Sequence, residues 1–164
     1  MRRALLPAAW LALSGAAAPQ PADALRDLAE CRLAPEAVGP AVAALRIDAA
    51  HEAEDGPRHR IVRNYALPGG MTIFGLPAAA LGSLETLEDG TRRIMIITSV
   101  ERPYAEVKAA ALAGHGQAKC EAEARRDYTT CQVFAIKKAE SRTSLLIGEN
   151  GDTTDIACTY EPIR

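Results

Sequence analysis

One stretch sets the pattern for the rest of the chain: Thr91 to Gly114, TRRIMIITSVERPYAEVKAAALAG, in which an apolar run passes directly into an alanine-rich helical repeat. Ile94, Met95, Ile96 and Ile97 make both pleat faces apolar, and the β-branched side chains of Ile94, Ile96, Ile97 and Val100 are stiff at χ1 and suit a pleated surface. This predicts an interior strand covered on both sides. Pro103 suits the first helical position, where its missing N–H is no loss, and Glu106 favours the positive end of the helix dipole. Tyr104, Val107 and Ala111 recur at helical spacing with Leu112 beside them, and Gly114 is a natural stop, so a helix over about 103–113 should pack on the strand.

Upstream, Asp23 can cap a helix through Leu25, Leu28 and Leu33 that Pro35 ends, and a second short helix should start near Pro40. His51 to Arg60, HEAEDGPRHR, has no period and reads as a solvated connecting loop. Arg60 to Tyr65 alternates, with Ile61 and Tyr65 inward, and the Pro68-Gly69-Gly70 turn should join it to Met71–Phe74 as a hairpin. Residues 78–87 fit strand or helix. Glu88-Asp89-Gly90 is a turn into the central strand. A strict two-residue turn would set Glu85 opposite Ile94, a charge beside a buried residue, so a longer turn or a bulge is expected.

Downstream, His115 to Asp127 is polar. Tyr128 to Lys138 reads as a strand with Cys131, Val133 and Ala135 on one face and Tyr128, Gln132 and Phe134 on the other. Asn150-Gly151 is the dipeptide a type I′ turn prefers, and centring the turn there pairs Ile147 with Thr154, Leu145 with Ile156 and Thr143 with Cys158. The sum is an α+β domain: a mostly antiparallel sheet of about five to seven strands, the 103–113 helix on one face, and one or two N-terminal helices.

The N-terminus changes this picture. Met1-Arg2-Arg3, an apolar stretch from Ala4 to Leu13 and the small residues Ala16-Ala17-Ala18 predict a signal peptide over 1–18, cut near Ala18, leaving residues 19–164 as a single domain. That apolar core is shorter than the roughly 20 residues a membrane-spanning helix needs, and no later stretch is longer, so no transmembrane segment is expected. Without Arg2 and Arg3 the chain carries 17 Lys and Arg against 21 Asp and Glu, a net charge of −4. Mild acidity argues against nucleic acid, whose phosphates need a concentrated basic face. Alanine- and arginine-rich composition suggests a bacterial source, which makes the destination periplasmic or secreted.

Cys31, Cys120, Cys131 and Cys158 are an even set in a chain that reads as exported, so two disulfides are expected among three possible connectivities. The preferred pairs are Cys120 with Cys131, closing a short loop, and Cys31 with Cys158, tying the N-terminal helix to the last strand. A redox site lacks a C-x-x-C motif and an adjacent base.

Candidate chemistry is sparse. His51, Asp55 and His59 fall at i, i+4 and i+8, which would align them for a metal on an unbroken helix, but Gly56-Pro57 breaks that geometry. The acidic turn at Glu149-Asn150-Gly151-Asp152, with Asp155, fails the spacing of a calcium loop. Nucleophile-elbow, phosphate-loop, dinucleotide, H-E-x-x-H and haem-attachment motifs are absent, and no cofactor is implied. The only tryptophan, Trp10, lies in the signal peptide, so the mature chain lacks the usual sugar-stacking residue. Two function classes remain. The first is a non-catalytic binding module that meets a protein or small-molecule partner on a sheet face or edge, with Arg63, Tyr65, Phe74 and Tyr104 contributing if they are exposed together. The second is a small envelope enzyme of hydrolytic type, whose site requires His51, His59 or His115 to converge with a carboxylate.

Overall fold

In the computed structural model, which describes residues 21–55, 58–125, 129–138 and 141–162, the apolar run becomes the centre of an eight-stranded sheet. The predicted signal peptide and its cleavage site lie outside the described residues. Two helices come first, α1 (Pro21–Ala29) and α2 (Pro35–Ala43), followed by strands β1 (Ile47–Asp55), β2 (Arg58–Tyr65), β3 (Thr72–Ile73), β4 (Leu76–Pro77), β5 (Ala80–Glu88) and β6 (Thr91–Val100). Helix α3 (Tyr104–Gly114) leads to β7 (Ala122–Arg125), β8 (Thr129–Lys137), β9 (Ser141–Asn150) and β10 (Thr153–Pro162). The main sheet runs β1-β2-β5-β6-β10-β9-β8-β7, every neighbouring pair is antiparallel, and β3 and β4 form a separate two-stranded ribbon. The α+β, mostly antiparallel reading holds, but the sheet has eight strands rather than five to seven.

The core lies on one face of this sheet. Ile94, Ile96 and Val100 of β6, Ile156, Cys158 and Tyr160 of β10, Leu145 and Ile147 of β9 and Cys131 of β8 are buried there. They pack under Leu25, Leu28 and Ala29 of α1 and Val107, Ala111 and Leu112 of α3. The Tyr160 hydroxyl donates to the Leu28 carbonyl at 3.1 Å, and burial raises its pKa well above the ordinary phenol value. A disulfide joins Cys31 to Cys158 with 5.5 Å between Cα atoms, and a second joins Cys120 to Cys131 at 5.4 Å.

Several local expectations are corrected. Among the described residues all three helices lie on the Ile96 side, so β6 is interior but covered by helices on one face only; Met95, Ile97 and Ser99 on the other face are half-buried. Pro103 is the N-cap of α3 rather than its first residue. Asp23 lies in the first turn of α1, and Pro35 starts α2, which carries Pro40 inside it. The charged stretch from His51 is β1 and the start of β2, because β2 supplies a ladder partner that local composition does not announce. β2 pairs with β1 and β5, while residues 71–74 pair only with the β4 segment.

Three registers differ for identifiable reasons. Glu85 does stand opposite Ile94, across a two-residue turn in which Asp89 (φ 50°) and Gly90 (φ 70°) are both left-handed, the type I′ geometry. The charge is tolerated because Arg63 Nη1 and Arg92 Nε reach its two carboxylate oxygens at 3.1 and 2.6 Å. A bulge between Gln132 and Phe134 sets both Val133 and Phe134 into the core, so the strict alternation expected for β8 fails after Gln132. The last hairpin turns at Gly151-Asp152, pairing Ile147 with Ile156 and Leu145 with Cys158. This is two residues from the expected register, so each side chain keeps its face.

Candidate functional site

Among the described residues no helix covers the other, open face of the sheet. Cross-strand pairing lays two apolar rows across it: Val62, Leu84, Met95, Thr159, Ser144 and Ala135 in one, and Asn64, Gly82, Ile97, Ala157, Leu146 and Gln132 in the next. Side chains in such rows shield one another even without a covering layer, and Leu84, Met95, Ile97, Ala157 and Leu146 are accordingly half-buried, while Val62 is 41% exposed. Polar rows border them. At one end Arg93 pairs with Glu161 at 2.6 Å, with Arg142 the cross-strand neighbour of Glu161. At the other end Ser99 Oγ donates to Asp155 at 2.6 Å, and the Asn150 amide holds the second Asp155 oxygen at 2.8 Å.

A hollow of about 480 Å³ opens in this face over β2, β5 and β6, with Val62, Leu84, Ile97 and Gly82 among its lining, Asn64 and Ser99 among its polar groups and Asp48 of β1 as a carboxylate. Gly82 shapes it. A Cβ there would stand 3.0 Å from the Arg63 carbonyl oxygen and 3.3 Å from Asn64 Oδ1, so a side chain at this position would press on β2 and need it to give by a few tenths of an ångström.

The sheet also has one long open edge. All residues from Asp48 to Glu54 are exposed, Ile47 is 50% exposed, and among the described residues β1 has β2 as its one strand partner. Arg46 stands 3.6 Å from Asp48, and His59 3.9 Å from Glu54.

A third polar centre ties α1, the β3–β4 ribbon and α3 together. The buried Glu30 carboxylate accepts from the Phe74 backbone N–H at 2.8 Å and from Arg32 Nε at 2.7 Å, and Arg32 also donates to the Gly114 carbonyl at 2.8 Å. His115 Nε2 meets the Glu30 carbonyl oxygen at 2.8 Å, with its ring between Phe74 and Phe134. Burial holds His115 below the ordinary imidazole pKa, the Arg32 charge adds to that, and the bond to the Glu30 carbonyl opposes it. Every group here has a structural partner, and the arrangement joins three elements rather than presenting a nucleophile.

The residues singled out from sequence do not assemble. His51 shares the open face with Val62, its cross-strand partner, whereas His59 faces the helix side opposite Glu54; the side chain of Asp55 lies outside the described residues. His115 is held at the end of α3. Among the described residues no group of three or more His, Cys, Asp and Glu is placed to hold a metal ion. Arg63, Tyr65, Phe74 and Tyr104 do not form a shared exposed patch. Tyr65 is buried with its hydroxyl 2.8 Å from Ser83 Oγ, Arg63 is bound to Glu85, Phe74 packs on His115, and Tyr104 lies under Lys108. The rows of the open face escaped sequence reading because each strand contributes only two or three ordinary residues to them.

No protein-family model, curated protein or solved structure matches this chain. No helix among the described residues is long and apolar enough to cross a membrane.

Proposed function

We propose that the protein is an exported, non-catalytic binding module whose ligand surface is the open face of the sheet. The hollow over β2, β5 and β6 carries this reading: about 480 Å³ falls within the range of small-molecule sites, and its apolar floor with a few polar groups matches their usual composition. The chemistry fits a small ligand with an apolar body over Leu84 and Ile97 and one hydrogen-bonding end near Asn64 and Ser99. Export is supported by the basic-apolar-small N-terminus and by two disulfides, which persist in oxidising compartments. The enzyme alternative draws no support from the histidines, which stand apart.

An apolar fluorescent anion, 8-anilinonaphthalene-1-sulfonate, tests the reading. The wild-type protein should bind it saturably, and Leu84→Glu, which places a carboxylate over the hollow and so opposes both the apolar ring and the sulfonate, should abolish binding while leaving the unfolding midpoint near the wild-type value. Equal binding by both proteins would sink the reading.

A further inference from the structure

We infer that the β1 edge is a docking site for an extended basic segment of a partner protein, added to the sheet as a ninth strand. The primary observation is the free backbone. A nine-residue strand with one paired side presents a row of N–H and C=O groups to any chain that can lie beside it. Folded proteins usually blunt such an edge with proline, charged side chains, a short strand or a bulge. Between Ala49 and Glu54 β1 has no proline, lysine or bulge, its one irregularity falling between Ile47 and Ala49, and the charges it does carry, Glu52 and Glu54, repel acidic or like strands but not a basic one.

The side chains select the occupant. By their pairing with β2, Ala50, Glu52 and Glu54 face the helix side and Ala49, His51 and Ala53 the open side. An added strand would therefore meet carboxylates at alternate positions on one side and mostly small residues on the other. The segment that fits alternates Lys or Arg with apolar residues, its basic side chains opposite Glu52 and Glu54. The same acids disfavour a second copy of this chain. Two β1 edges paired antiparallel about a twofold axis keep Glu52 and Glu54 of both copies on one face, and any register centred on residues 52–54 sets them directly opposite one another.

The probe is a blocked ten-residue peptide of alternating lysine and valine, with a glutamate-valine peptide and an alternately N-methylated lysine-valine peptide as controls. Binding is read by fluorescence anisotropy and by hydrogen exchange of the β1 amides. The lysine-valine peptide should bind and slow exchange over residues 48–54, and the other two should not. Glu52→Lys with Glu54→Lys, both exposed positions, should weaken that peptide about tenfold and turn the preference toward the glutamate-valine peptide. Equal binding by the N-methylated peptide would reduce the site to charge attraction and overturn the proposal. So would absence of binding, or β1 protection that rises with protein concentration alone, the mark of self-pairing. Because the dye site lies on the open face, the double variant should leave dye binding unchanged, so this inference and the proposed function can fail separately.

Discussion

The two ends of the sheet are built differently. At one end β7 has four residues and is fixed from several directions. Cys120 is bonded to Cys131, Glu121 accepts from the Ala135 N–H at 3.0 Å and from the Gln132 amide at 3.1 Å, and Glu123 meets Lys108 of α3 at 2.8 Å. A bulge in the adjoining β8 adds twist beside it. At the other end β1 has nine residues, those from Ile47 to Glu54 exposed on both faces, and the β1-β2-β5 half carries no disulfide. It is held by ladder pairing and by ion pairs such as Arg58 with Glu88 at 2.6 Å and Arg63 with Glu85. Covalent and helical support is concentrated on one half, and the half with least support carries both the hollow and the open edge. The proposed ligand surfaces thus fall on the half with fewer crosslinks, where local opening should be easiest.

The comparison breaks most visibly through the disulfides. Replacing Cys31 and Cys158 by serine removes a crosslink across 127 residues and should cost about 5 kcal/mol, whereas replacing Cys120 and Cys131, 11 residues apart, should cost about 3 kcal/mol. Urea denaturation of both double variants without reductant gives the two values. Hydrogen exchange then tests the division into halves: without the Cys120 bridge, β7 amides should lose protection while β2 and β5 keep theirs. Equal loss in both would show one cooperative unit.

How much of this was legible depends on where the information resides. The β6–α3 unit could be read because Ile94 to Val100 and Pro103 to Gly114 carry their own propensity and end signals within 24 residues. The β1–β2 hairpin could not, since Ala49-Ala50-His51-Glu52-Ala53-Glu54 has neither β-propensity nor alternation and becomes a strand through pairing. The Asp89-Gly90 register was rejected on the sequence because Glu85 looked uncompensated; its cations come from Arg92 and from Arg63, 22 residues away. Val133 broke the face assignment of β8, as any bulge defeats a period-two reading. The open face was illegible for a related reason: its rows run across strands, and a sequence is read along them.

Glu85 gives the next largest effect and probes the half without disulfides. Its side chain is 16% exposed between Arg63 and Arg92. Burial alone would raise its pKa, but the hydrogen bonds and charges of Arg92 and Arg63 outweigh that and hold the carboxyl below its ordinary value. Glu85→Ala should cost about 0.5–1 kcal/mol at neutral pH, limited by the partial exposure of the pairs. Because the folded pKa is depressed, this contribution is present above the unfolded carboxyl value near 4.5 and is lost as pH falls through the folded value. The gap between wild type and variant in urea midpoint should therefore narrow below about pH 4.5; a gap that stays constant to low pH would remove the ion-pair explanation.

The smallest effect separates the halves by acidity and comes from His115 in the supported half. Its folded pKa lies below the ordinary imidazole value of 6.5, so the unfolded chain takes up the proton first as pH falls. Stability should begin to decline near pH 6.5, the ordinary imidazole value, and level off below the folded pKa. The physical cause is local. Nε2 is committed to the Glu30 carbonyl, and an added charge would sit between Phe74 and Phe134 with the Arg32 guanidinium nearby. His115→Gln, which can still donate to a carbonyl but does not ionise, should remove the decline that sets in near pH 6.5 and leave the Glu85-dependent fall below about pH 4.5 unchanged. A wild-type slope that survives this substitution would place the titrating group elsewhere and deny the supported half its separate response to acid.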